Sequence, residues 1–254
     1  MAERLEFEGA AGHRLAGLLD IPVTSRASAI FGHCFSCGKD SIAAARIARA
    51  LTDRGFTVLR FDVTGLGESE GEFGAATFSM DVADMVTAAG VLRDRGQAPG
   101  LLVGHSLGGA AVIAAAGQVP EVRAVATIAA PSDPGHVTDL LARQAPDIHD
   151  ADEVEVQLGG RPFTLRREFL EDIRSQPQRE RIRDLGRALL VMHSPQDRTV
   201  HIDNASEIFM AARHPKSFIS LDGANHLLTD HADARYVADV LAAWASRYLD
   251  DGAA

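Results

Sequence analysis

The chain has 254 residues, 46% hydrophobic and 24% charged, enough apolar material to bury a sheet on both faces. Its formal net charge of -10 excludes a general affinity for nucleic acid, because nothing here neutralises a run of phosphates. Arg179, Arg181 and Arg183 form a local basic cluster, but Glu180 and Asp184 interleave with them, as on a solvated helix face.

No apolar stretch approaches a membrane span, and the N-terminus MAERLEFEGA lacks the apolar core of a signal peptide. The two cysteines, Cys34 and Cys37, are too few for a disulfide framework. A cytoplasmic protein with no membrane partner is therefore expected, and a homodimer stays open.

Taken in order, residues 4–8 and 14–19 alternate apolar and polar around a Gly-rich turn, the pattern of an antiparallel hairpin at a sheet edge. A buried strand is expected at 29–33, then a helix at 42–54 ended by Gly55. A strand at 57–61 runs into a loop of Gly and small polar residues that starts at Asp62. An amphipathic helix at 78–95 closes at Gly96, followed by a short strand at 101–103 and an Ala-rich helix at 107–118. Strands at 122–128, 189–193 and 217–221 and a closing helix at 233–248 complete the series.

This alternation predicts an α/β fold, a mainly parallel eight-stranded sheet with helices on both faces, in a single domain over 1–254. Residues 132–184 break the rhythm with charged helical patches and a hairpin turning at Gly159-Gly160. So long a stretch without structure would be improbable, so it reads as a small cap inserted over the strand ends.

Gly104 to Gly109 spells Gly-His-Ser-Leu-Gly-Gly between an apolar strand and a helix. That is the context in which Gly-x-Ser-x-Gly forms a nucleophile elbow, with Ser106 on a strained turn and glycines where side chains would collide with backbone. The Leu107 amide opens the helix, unpaired and at the positive end of its dipole, where it can bind an oxyanion. A plain N-cap serine would look similar; the partners below favour the nucleophile.

Ser106 needs a base that works near neutral pH, and ten histidines compete. His226 follows the last strand, on the sheet edge that carries the elbow, and the chain order Ser, Asp, His suits this arrangement. His231 is the rival, although it sits where the final helix begins. His193 reads as a core histidine, His33 as structural, and His105 as pointing away from the nucleophile. Asp197, in a loop directly after the strand 189–193, is the expected acid, with Asp203 as rival in the first turn of the next helix. A second oxyanion donor is expected from the loop after strand 29–33, with Phe35 the candidate and Cys34 the alternative. No metal or organic cofactor is implied: no zinc-type ligand spacing occurs, and His201 with Asp203 does not make one. Cys34-x-x-Cys37 has the spacing of a thiol-redox motif, against the blander reading of two small residues in a tight loop.

Together the elbow, the stretch from Asp62 to Ser69, Asp-Arg-Thr-Val at 197–200 and the late histidine resemble the α/β-hydrolase family over most of the chain. Many members carry His-Gly-x where this chain has His33, Cys34 and Phe35, a similarity that favours Phe35 as donor. The stretches 33–40, 60–67 and 216–222 resemble a bacterial group whose members often carry an OsmC-type peroxidase domain downstream; no such domain follows here, so any redox partner is expected to be separate. The inserted hairpin ending in Arg-Pro-Phe is similar to the cap of cinnamoyl and feruloyl esterases. The resemblance implies a carboxylesterase that cleaves small esters, some with aromatic acyl groups. Thioester or amide hydrolysis and acyl transfer use the same constellation. The net charge disfavours anionic substrates, an effect that Arg161, Arg166 or Arg167 could reverse near the pocket.

Overall fold

Ten strands and eight helices occur among the described residues of the computed structural model, which describes 1–249 apart from 143, 146–147, 149–151 and 159–160. The strands are β1 (Ala2–Glu8), β2 (Arg14–Asp20), β3 (Ala27–Gly32), β4 (Phe56–Phe61), β5 (Leu101–His105), β6 (Ala124–Ile128), β7 (Glu153–Leu158), β8 (Arg161–Arg166), β9 (Ala188–His193) and β10 (Lys216–Ser220). The helices are α1 (Ile42–Thr52), α2 (Phe78–Asp94), α3 (Leu107–Ala116), α4 (His136–Ala142), α5 (Arg167–Arg174), α6 (Gln178–Arg183), α7 (Asp203–Ala211) and α8 (His231–Leu249).

Eight of the strands form one sheet in the order β1-β2-β4-β3-β5-β6-β9-β10. β1 pairs antiparallel with β2, and β2 antiparallel with β4; the remaining pairs are parallel. The hairpin at one edge and the mainly parallel core are as the sequence predicts.

Both faces of the central strands are apolar because successive side chains point to opposite sides. On one side Ile30, Leu59, Leu102, Val125 and Leu189 pack against Val82, Met85 and Leu92 of α2 and Val112 and Ile113 of α3. On the other, Phe31, Phe56, Val103 and Met192 pack against Ile47 and Leu51 of α1 and Val237 and Leu241 of α8. Each such Leu, Ile or Phe contributes roughly 1.5–3 kcal/mol through burial. Helix α3 is buried along its whole length, which its Gly and Ala content permits.

Local chemistry sets the helix starts. The Thr77 hydroxyl accepts from the Met80 amide and caps α2. Asp230 accepts from the Ala232 amide, so α8 begins at His231, two residues before its first expected position.

Between β6 and β9 the chain forms α4, the antiparallel pair β7–β8, α5 and α6. The hairpin strands match the sequence reading; the Gly159-Gly160 turn lies outside the described residues. Leu165, Phe169, Leu170 and Ile173 of this segment join the apolar cluster beneath α2 and α3. A short 3₁₀ turn, Phe73–Ala75, lies against β8: a Cβ on Gly74 would stand 2.7 Å from the Thr164 carbonyl oxygen. Among the described residues no helix is long and apolar enough to cross a membrane.

Candidate active site

Ser106 stands between β5 and α3 with φ 55° and ψ -127°, a conformation that non-glycine residues avoid. A Cβ at Gly104 would lie 2.2 Å from the Gly108 carbonyl oxygen, and one at Gly108 would lie 2.4 Å from that of His33. The two glycines are thus required by backbone-to-backbone contact, the reason given by the motif itself. The Ser106 amide donates to the Ile128 carbonyl at 2.8 Å, which ties the turn to β6.

The loops after β9 and β10 emerge at the same sheet edge. His226 Nε2 lies 3.1 Å from Ser106 Oγ, and His226 Nδ1 lies 2.7 Å from Asp197 Oδ2. Asp197 is buried, and its other oxygen accepts from the amides of Thr199 at 2.8 Å and Val200 at 3.0 Å. Burial works against its charge, but the hydrogen bond and positive field of His226 and the two amides outweigh it and hold the carboxyl below its usual pKa. A hydroxyl, an imidazole and a carboxylate in this chain can transfer the hydroxyl proton to the ring and stabilise the resulting cation.

The rivals lie elsewhere. Asp203 is exposed at the start of α7 and pairs with His201 at 2.9 Å. His231 is exposed at the first turn of α8. His193 Nε2 donates to the Val200 carbonyl at 2.8 Å, while its buried Nδ1 has no hydrogen-bond partner among the described residues, so this core histidine is half satisfied there.

His105 has a task that its sequence position hides. Its ring centroid lies 5.2 Å from that of His226, and its Nε2 donates to the backbone carbonyl of His226 at 2.7 Å. It thereby fixes the loop that carries the imidazole. Burial, together with the nearby positive charge of His226, lowers the His105 pKa from 6.5 to about 4. The native ring is therefore neutral between those values, where the unfolded chain already binds a proton. Stability should rise with pH across that window and fall by roughly 2–3 kcal/mol from pH 7 to 4.5 through this residue alone. In urea unfolding at the two pH values, His105→Gln should remove most of that dependence; an undiminished slope would refute the assignment. Gln196 is a second residue the sequence did not single out: its Oε1 accepts from the Gly223 amide at 2.8 Å and joins the Asp197 loop to the His226 loop.

Ser106 and His226 open onto a cavity of about 800 Å³. Its walls come from the loops after β3 and β4, Thr199 and Val200, and the inserted segment, which supplies His136, Val137, Leu141, Leu158 and Phe163. Phe35 lies in the wall, and Phe35 and Leu107 border the same small void of about 10 Å³ beneath the elbow. Neither Arg166 nor Arg167 lines the cavity: Arg166 pairs with Glu72 and Glu153, and Arg167 with Asp152. The Arg161 side chain lies outside the described residues. The expected cationic correction is therefore not found at Arg166 or Arg167, and Asp40 and Asp62 border the cavity instead.

One buried carboxylate holds two of the walls together. Asp62 Oδ1 accepts from the Lys39 amide at 2.7 Å, and Asp62 Oδ2 accepts from the Lys39 ammonium at 2.8 Å and the Glu68 amide at 3.0 Å. Burial opposes the Lys39 charge, but its bonds to Asp62 and Glu68 prevail and hold its pKa above the ordinary value. The rings of Phe169, Phe35, Phe73 and Phe163 follow one another with centroids 5.1, 5.2 and 4.6 Å apart. Cys34 and Cys37, also in the wall, are joined by a disulfide with Cα atoms 5.1 Å apart. The two cysteines sit in a tight turn, closed by the Cys37 amide donating to the Cys34 carbonyl at 3.1 Å, which brings their side chains together.

With this fold and this site, the chain belongs to the alpha/beta hydrolase family, which matches it over residues 29–240. Among solved structures it is similar to the esterase domain of a Rhodothermus marinus protein, at 49% identity over 98% of this chain and 99% of that one, with a TM-score of 0.81. Est1E from Butyrivibrio proteoclasticus, solved with ferulic acid bound, shares the fold at 16% identity, 97% and 100% coverage and a TM-score of 0.81. The hydrolase GrgF from Penicillium sp. sh18 does so at 17% identity, 98% and 99% coverage and a TM-score of 0.81. No curated protein matches the chain.

Proposed function

We propose that this chain is a serine carboxylesterase that cleaves small carboxylic esters, with room for aromatic acyl groups. The observation that carries the reading is the run from Ser106 Oγ through His226 to Asp197, at 3.1 and 2.7 Å, on a strained elbow beside the cavity. His226 takes the Ser106 proton as the oxygen attacks the ester carbonyl, and the amides of Leu107 and Phe35 receive the developing oxyanion. His226 then protonates the departing alcohol, and a water activated by the same ring releases the acid from the acyl-enzyme. Asp197 holds the imidazole tautomer throughout.

The substrate class rests on the walls. Phe35, Leu66, Val137, Leu141, Leu158 and Phe163 offer apolar and aromatic surface, and the segment 132–184 acts as a cap over the acyl group. The likeness to an esterase domain supports ester cleavage, and ferulic acid bound to a protein of the same fold agrees with an aromatic acyl group.

A panel of para-nitrophenyl esters and methyl esters of aromatic acids, with a thioester and an anilide alongside, tests this. Ester turnover is expected to lead, with phenylpropenoyl esters ahead of long straight-chain ones. Faster thioester or anilide cleavage would move the enzyme to a neighbouring reaction on the same residues.

A further inference from the structure

The loop that carries the second oxyanion donor is pinned at both ends and bridged in the middle. At its near end His33 is buried, its Nδ1 donates to the Cys34 carbonyl at 2.9 Å, and its own carbonyl lies against the elbow at Gly108. At its far end Lys39 is fixed to Asp62 through amide and ammonium, and a Cβ on Gly38 would stand 2.8 Å from Asp62 Oδ1. Between these anchors the Cys37 amide donates to the Cys34 carbonyl at 3.1 Å, and the two sulfurs close a ring around Phe35 and Ser36. All four residues face the cavity that holds Ser106 and His226.

We propose that the Cys34–Cys37 disulfide is a reversible thiol–disulfide modification site whose state sets the position of the Phe35 amide, with a small dithiol as its co-reactant. This rests on the esterase reading above. Breaking the bond lets the sulfurs part from covalent to van der Waals separation, by more than about an ångström. With His33 and Lys39 held, that displacement falls on Phe35 and Ser36. The Phe35 ring packs on Phe73 and Phe169, so the same movement reaches the inserted segment.

Access decides which sulfur is attacked. Cys34 is buried, whereas Cys37 is half-buried beside the cavity. A thiolate entering the cavity attacks Cys37 Sγ, forms a mixed disulfide and expels the Cys34 thiolate. The second thiol of the same reagent then attacks the mixed disulfide and releases the Cys37 thiolate. Two electrons and two protons pass to the cysteine pair, and the dithiol departs as its disulfide.

The test is turnover of para-nitrophenyl acetate by the wild-type chain, equilibrated at graded ratios of dithiothreitol to its oxidised form. Free thiols are counted by alkylation and mass spectrometry in the same samples. Because losing an oxyanion donor costs about a hundred- to thousandfold, a loosened one is expected to lower kcat by about tenfold to a hundredfold. KM should change little, and reoxidation should restore kcat. The double variant Cys34→Ser with Cys37→Ser should stay at the reduced level and ignore the thiol ratio.

Equal kcat in samples with no free thiols and with two would overturn the proposal. So would two free thiols after full oxidation, or reduction only once circular dichroism shows unfolding, the mark of a purely structural bridge. Failure of the esterase reading is distinguishable, because the oxidised Ser106→Ala variant would then keep its turnover and fluorophosphonate labelling.

Discussion

Replacing Ser106 with alanine is expected to lower ester turnover by about a million-fold, if the three side chains act as a unit. In the proposed reaction Ser106 Oγ is the atom that becomes acylated, and it lies 3.1 Å from His226 Nε2. What remains is the contribution of the oxyanion amides and the cavity, about a thousandfold over water in related sites. The fold should survive, since alanine removes only one partly buried hydrogen bond, worth about 1 kcal/mol. The positive φ stays strained for either residue. Steady-state kinetics with a thermal melt on the same sample checks both halves. Turnover above about 1% of wild type in a folded variant would remove Ser106 as nucleophile.

Asp197→Asn should cost on the order of ten-thousand-fold in turnover, and the local hydrogen bonds say why. The Thr199 and Val200 amides donate to Oδ1, so the asparagine oxygen must take that side. Its NH₂ then faces His226 Nδ1, which lies 2.7 Å from the native carboxylate. The ring must accept there, its proton moves to Nε2, and Nε2 can no longer take the Ser106 proton. Asp203→Asn, at an exposed pair with His201, should leave kcat within about twofold if surface pairs behave as usual. A reversal of these two results would exchange the acid. The depressed Asp197 pKa also has a sign: its stabilisation is present above the unfolded value of about 3.9 and is lost as pH falls through the lower native one. Acid loss of activity around neutrality should therefore not come from this carboxylate.

The sequence disclosed those parts of the site that local chemistry dictates. Gly104 and Gly108 are needed wherever a strand turns into a buried helix around Ser106, so the elbow could be read from six residues. Strands buried on both faces announce themselves as continuous apolar runs, and the loops after them must reach one edge in a parallel sheet. That was enough to bring Ser106, Asp197 and His226 together. Long-range hydrogen bonds were the hidden part. Nothing in the spacing of Lys39 and Asp62 says that one carboxylate will accept from an amide, an ammonium and a second loop. His105 looked idle because its partner is a backbone carbonyl 121 positions away. The short helices α4, α5 and α6 carry few turns from which a period could be read, so beside the hairpin they showed only as charged helical patches without bounds.

The row of phenylalanine rings has a bearing on how this scaffold could be re-engineered. Phe35 belongs to the loop after β3, Phe73 to the turn before α2, and Phe163 and Phe169 to the inserted segment, yet their rings form one packed series. The segment is consequently not an interchangeable module. A graft that swapped its hairpin for a foreign one would disturb the wall beside the nucleophile, so selectivity and turnover would drift together. Leu227 and Leu158 also border the cavity but lie outside that series. On the esterase reading, libraries at those two positions would vary the apolar surface offered to the acyl group, with turnover followed alongside because Leu227 adjoins His226 and Leu158 packs on the same cluster as the rings.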